Sequence, residues 1–182
     1  MHVTGEPAIL YLGTPVVLIS TVNEDGTYNL APMSSAFWLG WRCILGLDAS
    51  SKSPQNMQRT RECVLNLPSV DAVSAVNRLA RTTGTNPVPQ RKLSRGYRYE
   101  KDKFGASGFT PVPSETVAPP RALQCPVQLE AVVESVRGVA DKTRCCAEKS
   151  WCSKRESSAF ISRRASSWRA IVTGSIPTSG SP

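Results

Sequence analysis

The chain has 182 residues, 40% hydrophobic and 20% charged, which suits one compact domain able to bury a core without disulfides or a structural metal. No apolar run is long enough to span a bilayer, and the start, "MHVTGEPAILYLGTPVVLIS", lacks the basic region of a secretory signal, so a cytoplasmic protein is expected. The net charge of +8 suggests a nucleic-acid or membrane-surface partner, but from Asp141 onward eight Lys and Arg face three Asp and Glu, leaving only +3 for everything before.

In chain order, "TPVVLISTV" is a β-branched run closed by "NEDGTY", whose Asp25-Gly26 is a strong hairpin signal. The stretch "YNLAPMSSAFWLGW" then sets Asn29, Ser34 and Ser35 among Leu30, Pro32, Met33, Phe37 and Trp38. Such a mixture suits a flat heteroaromatic ring with polar edges, and equally a strand whose polar residues face water. "RCILGLDA" and "ECVLNLPS" are short apolar runs that fit buried strands.

Between these two runs lies "SSKSPQNMQRTRE". Ser53 before Pro54 predicts a serine-capped helix from Pro54 to about Glu62, with Arg59 and Arg61 near its C-terminal end. A helix N-terminus offers unpaired N–H donors and the positive end of the dipole, Ser50, Ser51 and Ser53 add hydroxyls, and Lys52 adds a charge. The stretch is able to bind a phosphate monoester, although taken alone a capped helix with no ligand is the commoner reading.

Downstream, "DAVSAVNRLAR" puts Val73, Val76 and Leu79 three apart, predicting a short amphipathic helix. The segment from Thr82 to Leu123 is rich in Gly, Pro and Thr and predicts a long excursion over the surface. "CPVQLEAVVESV" alternates in part, as a strand with one wet face does. From about Thr143 the texture becomes rich in Ser, Arg, Cys and Trp with no sustained period, which by itself reads as a disordered basic tail.

Cys43, Cys63 and Cys125 sit in apolar runs and are expected to pack as small hydrophobes. Cys145, Cys146 and Cys152 crowd together without a usable ligand set, and the only histidine, His2, is far off in sequence, so no metal site is expected. One terminal histidine also disfavours a catalytic triad with an imidazole base, and no catalytic side chain is assigned.

The order of "PVVLISTVNEDGTYNLAPMSSAF", "LGLDASSKSPQNMQRTRECVLNL" and "RALQCPVQLEAVVE" resembles the flavin reductase-like family of FMN-binding split β-barrels, over most of the chain from Thr14 to Glu134. The resemblance implies a mainly β fold, a six-stranded antiparallel split barrel with short helices, spanning residues 1–140 and followed by an atypical tail over 141–182. It further implies a homodimer with one FMN per subunit, NADH or NADPH as electron donor, and in some members a partner monooxygenase. By position, Asn29, Pro32, Met33, Ser34, Ser35 and Ala36 would face the flavin ring, Ser50, Ser51, Lys52, Ser53 and Asn56 would take the phosphate, and the loop ending in Pro119, Pro120 and Arg121 would lie over the site. The chemistry would belong to the flavin, with hydride arriving from the nicotinamide and leaving to another acceptor.

The tail departs from that family, whose closing stretch often resembles "GHRIDPDRWRPL". When the bases under "ESSAFISRRASSWRAIVTGSIPTSGSP" are read by joining each codon's third base to the next codon's first two, permitted codons spell "IFRVHLEESIKLAGHRDRIDPDKWQP", which resembles the missing tail. A one-frame shift between about Val139 and Glu148 is the expectation, and it carries the alternative of a barrel incomplete at its C-terminus and inactive. The other alternative is a nucleic-acid-binding protein that uses Arg163, Arg164 and Trp168 of the basic tail.

Overall fold

The computed structural model of the chain describes residues 15–39, 42–138, 156–162 and 170–172, the last two segments as backbone only. β1 (Val17–Val22) and β2 (Tyr28–Met33) form the expected hairpin. Gly26 takes φ 79° at its tip, a backbone that glycine adopts without strain, and Asp25 Oδ1 accepts from the Thr27 N–H at 3.1 Å. β3 (Ala36–Leu39), β4 (Arg42–Asp48), β5 (Glu62–Leu67) and a long strand follow, which after the intervening short strands is β10 (Val127–Gly138).

The tail contributes β11 (Glu156–Ser162) and β12 (Ala170–Val172). All pair antiparallel in one eight-stranded sheet, in the order β2-β1-β5-β10-β11-β4-β3 with β12 also on β10, so the mainly β expectation holds with eight strands rather than six. The supposed frame change between Val139 and Glu148, the domain boundary near residue 140, and Arg163, Arg164 and Trp168 lie outside the described residues.

β1 is buried on both faces, with Val17, Leu18 and Ile19 as its apolar run and Ser20 and Thr21 as buried hydroxyls. Val17 and Ile19 enter one core with Cys43, Leu45, Leu47, Met57, Cys63 and Leu65, whereas Leu18 points the other way, into a second core with Leu30, Leu79, Phe104, Phe109 and Cys125. The three cysteines pack as expected, and burial pushes the Cys43 thiol up to about 11 and Cys125 up to about 12.

Three sequence expectations change. The helix α1 is Lys52–Thr60, not Pro54–Glu62, and its cap is Ser51, whose side chain makes no capping bond. Pro54 lies in the first turn, where its missing N–H costs nothing, and Arg61 stops the helix in the left-handed region at φ 62°. The amphipathic stretch is split into a 3₁₀ turn, Val70–Ala72, and α2 (Val73–Leu79), which buries Leu79 and leaves Val73 exposed.

The long excursion is folded rather than draped. It holds β6 (Thr82–Thr83), α3 (Gln90–Leu93), β7 (Arg98–Tyr99), α4 (Lys103–Ser107), β8 (Pro111–Val112) and β9 (Arg121–Ala122), and it supplies Phe104 and Phe109 to the second core. Its far end is tied to the sheet. The buried Glu130 carboxylate accepts from the Glu115 and Thr116 N–H groups at 2.8 and 2.7 Å, and Ser20 Oγ donates to the Pro120 carbonyl at 2.5 Å. Among the described residues no helix is long and apolar enough to cross a membrane.

Candidate functional site

A cavity of about 220 Å³ opens where β2, the end of β4 and the start of α1 face the first half of the excursion. Part of the lining is apolar, made by Ile19, Ala31, Pro32, Met33, Leu47 and Leu79. Other lining groups are polar or cationic, with Ser51, Lys52 and Ser53 from α1, Thr82, Thr83 and Gly84 around β6, Arg91, Lys92, Arg95 and Tyr97 around α3, and Lys103 from α4. Among the described residues Asp48 is the sole carboxylate in the lining, and it is engaged, accepting from the Ser50 N–H and hydroxyl at 2.9 and 2.8 Å.

Hydrogen bonds fix the α1 end of the cavity. Asn29, 2% exposed, donates from Nδ2 to Ser53 Oγ at 2.9 Å and to Thr21 Oγ1 at 3.3 Å. Because Ser53 Oγ is the acceptor in that bond, its own proton is left to point elsewhere. Asn29 Oδ1 is buried with no partner among the described residues, an expensive condition unless a ligand supplies a donor. A Cβ on Gly84 would stand 2.7 Å from that oxygen and 3.2 Å from Lys52 Cγ, so only glycine leaves this corner open.

The cations differ in their partners. Lys52 pairs with Glu24 at 3.1 Å. Lys92 donates to Ser51 Oγ at 2.8 Å, beside the α1 N-terminus, and lies over the Tyr97 ring at 5.9 Å. Lys103 is 3% exposed, and among the described residues its ammonium has only the Thr82 carbonyl at 3.4 Å and no ion pair. Burial, followed by repulsion from Lys92, pushes its pKa down to about 8, against a weaker pull from Glu100. Burial also lowers Lys92, opposed by Asp48. The cavity thus gathers a buried ammonium, Lys103, and a half-buried one, Lys92, which is bonded to Ser51 at the start of α1, together with an apolar part of the lining.

Of the residues singled out in the sequence, Asn29, Pro32, Met33, Ser51, Lys52 and Ser53 line the cavity together. Ser34, Ser35, Ala36, Ser50 and Asn56 do not. The chain turns at Ser34, whose carbonyl accepts from the Ala36 N–H, and Ala36 is buried as β3 turns onto β4. Asn56 donates inward, to Thr21 Oγ1 and Asn23 Oδ1 at 3.0 and 2.8 Å, and so braces the hairpin, while its Oδ1, like that of Asn29, is buried without a partner among the described residues. Pro119, Pro120 and Arg121 are also absent from the lining, because Glu130 and Ser20 hold that end of the loop elsewhere. The residues that sequence reasoning missed come from the excursion, above all Thr82–Gly84, Lys92 and Lys103.

A family model described as "Flavin reductase like domain" matches residues 10–168. The uncharacterized protein YdfE of Bacillus subtilis (strain 168) is 43% identical over 132 residues, 72% of this chain and 64% of that protein, so the chain spans less than two thirds of the relative's length. Among solved structures, nitrilotriacetate monooxygenase component B from Bacillus cereus superposes with a TM-score of 0.64 at 17% identity, over 88% of this chain and 70% of that one. The 2-nitrobenzoate 2-nitroreductase NbaA of Pseudomonas fluorescens does so with a TM-score of 0.60 at 19% identity, over 85% and 64%. At such identities the structural likenesses speak for the fold, a split barrel.

Proposed function

The chain belongs to the flavin reductase-like domain family, and on that footing we propose that it is an FMN-binding oxidoreductase, passing hydride from NADH or NADPH through the flavin to a flavin or small-molecule acceptor. When bound, FMN would supply the two-electron carrier that no side chain of the cavity can replace. The observation that carries this reading is the buried Lys103 ammonium, without an ion pair among the described residues, in one cavity with Lys92, which is bonded to Ser51 at the start of α1, and with an apolar part of the lining. A phosphate there satisfies the cations, the Ser51 and Ser53 hydroxyls and the first-turn N–H groups of α1 together.

Asn29 Oδ1 would accept from an N–H or O–H of the flavin, held in aim by Thr21 and Ser53. Pro32, Met33 and Leu47 would cover the ring and keep water from it. Ser50 and Asn56 support this arrangement from behind, Ser50 through Asp48 and Asn56 through the hairpin. The homodimer that the family resemblance implies has a candidate surface on β3, where Phe37 and Leu39 are 59% and 75% exposed. A partner monooxygenase is one form the acceptor could take, as the likeness to a monooxygenase component suggests.

The test is a fluorescence titration of FMN with the purified chain. Quenching with a micromolar or tighter Kd is expected, weakened at least about tenfold in a Lys52→Ala, Ser53→Ala double variant, the loss of one charge-assisted contact and one hydroxyl. A folded chain that leaves FMN unquenched, or that binds riboflavin as tightly as FMN, would sink the assignment. In the same assay Gly84→Val is expected to weaken FMN about tenfold by displacing Asn29, with a near-normal melting curve. Unchanged affinity in that variant would take Asn29 out of the site.

A further inference from the structure

Before Asp141 the positive charge is concentrated in one place. From Arg81 to Lys103 seven Lys and Arg stand against two Asp and Glu, and both acids are engaged. Asp102 Oδ1 caps α4 through the Gly105 N–H at 2.8 Å, and Glu100 Oε1 accepts from the Asp102 N–H at 3.1 Å. Of the seven bases only Lys101 has an ion pair among the described residues, with Asp25 at 3.6 Å.

Lys92 and Lys103 lie at the phosphate end of the cavity, but Arg91 and Arg95 are surplus to one phosphate. They are four residues apart, Arg91 within α3 and Arg95 just past its end, where the Ser94 N–H bonds the Gln90 carbonyl at 3.0 Å and the Arg95 N–H bonds the Lys92 carbonyl at 3.0 Å. Both line the cavity, and both are exposed. That combination describes a rim, reached by something that arrives from solvent after the inner anion is in place. Two guanidinium forks lining one cavity mouth suit a terminal phosphomonoester, whose free oxygens and double charge take several N–H donors.

We infer that Arg91 and Arg95 form a second anion subsite at the cavity mouth, which takes the 2′-phosphate of a phosphorylated nicotinamide dinucleotide and sets a preference for NADPH over NADH. The inference rests on the flavin reading, because it needs a hydride acceptor below the donor.

The experiment uses the full chain, with and without FMN, and calorimetric titration of 2′,5′-ADP against 5′-AMP, which lacks the 2′-phosphate. The 2′-phosphorylated probe is expected to bind about tenfold tighter or more, as charge-assisted contacts allow. An Arg91→Ala, Arg95→Ala double variant is expected to lose that advantage. Arg98→Ala, in the same basic segment but outside the lining, keeps it. Equal binding of the two probes overturns the subsite, as does an advantage that survives the double variant or falls equally with Arg98→Ala, which would mark diffuse charge. A parallel FMN titration separates the two readings. An arginine-dependent preference without FMN binding leaves the subsite standing and removes the flavin, whereas FMN binding without the preference does the reverse.

Discussion

Replacing Lys103 by methionine is expected to move two measurements in opposite directions: the ligand-free chain melts higher, and its affinity for FMN falls about a hundredfold or more. In the free chain the ammonium is 3% exposed, has one long bond to a neutral carbonyl and sits near Lys92. Methionine has a similar length and no charge to desolvate, so the swap should stabilise the ligand-free fold by roughly 1–3 kcal/mol. With a phosphate bound, the same ammonium has a partner in a poorly hydrated place, and its loss is felt strongly.

The pH dependence follows from the lowered pKa of about 8, against 10.5 for an ordinary lysine. Below pH 8 both folded and unfolded states hold the proton and the burial penalty is fully present. Between about 8 and 10.5 the unfolded chain still holds it while the folded chain has released it, so the unfolded state binds more protons and the stability of the ligand-free fold rises with pH. FMN affinity should fall through the same window, as the cation that meets the phosphate disappears. Lys92 and Glu100 are the titratable neighbours that act on Lys103, and Lys92 is expected to deepen the fall because burial lowers it too. Thermal melts and FMN titrations from pH 7 to 10, on both chains, check this. An FMN affinity that is flat across pH 8, or that Lys103→Met leaves unchanged, takes Lys103 out of the phosphate site.

How much of this was legible in the sequence depends on how locally each feature is encoded. The hairpin was legible because Asp25-Gly26 lies between two apolar runs, and the α1 end of the site because Ser51, Lys52 and Ser53 are contiguous. The ring side was half legible. Asn29, Pro32 and Met33 face the cavity, but the turn at Ser34 sends Ala36 into the core, and nothing in "MSSAF" distinguishes a continuing strand from one that crosses to another partner. Lys92 and Lys103 were illegible for another reason. A lysine among Gly, Pro and Arg reads as surface, and α4 spans five residues, too few for a period to show that Phe104 is buried and carries Lys103 in with it. Asp102, which caps that helix, was the one local signal available.

The second large effect concerns the tail. A chain in which everything from Glu156 is replaced by "IFRVHLEESIKLAGHRDRIDPDKWQP" is expected to be the more stable of the two and to elute as a dimer. β11 lies in the middle of the sheet, paired with β10 on one side and with β4 on the other, from Glu156 opposite Asp48 to Ser162 opposite Arg42. A strand so placed should alternate, with apolar residues toward the core. "ESSAFIS" does not alternate, and three of its seven residues are serines. In the shifted frame the same bases give "IFRVHLE", where phenylalanine, valine and leucine alternate with arginine, histidine and glutamate. Two or three additional buried side chains at about 1.5–3 kcal/mol each amount to several kcal/mol, which in a domain of this size corresponds to a rise in Tm of roughly 10–20 °C. The cavity is lined by residues from Ile19 to Lys103, so the exchange should change stability and assembly more than FMN affinity measured well below the melting point. Calorimetric melts and size-exclusion chromatography of both chains decide it. Equal Tm and equal elution volume would mean that β11 is native as written, and an uninterrupted reading frame through Val139–Glu148 on resequencing would establish the same from the gene.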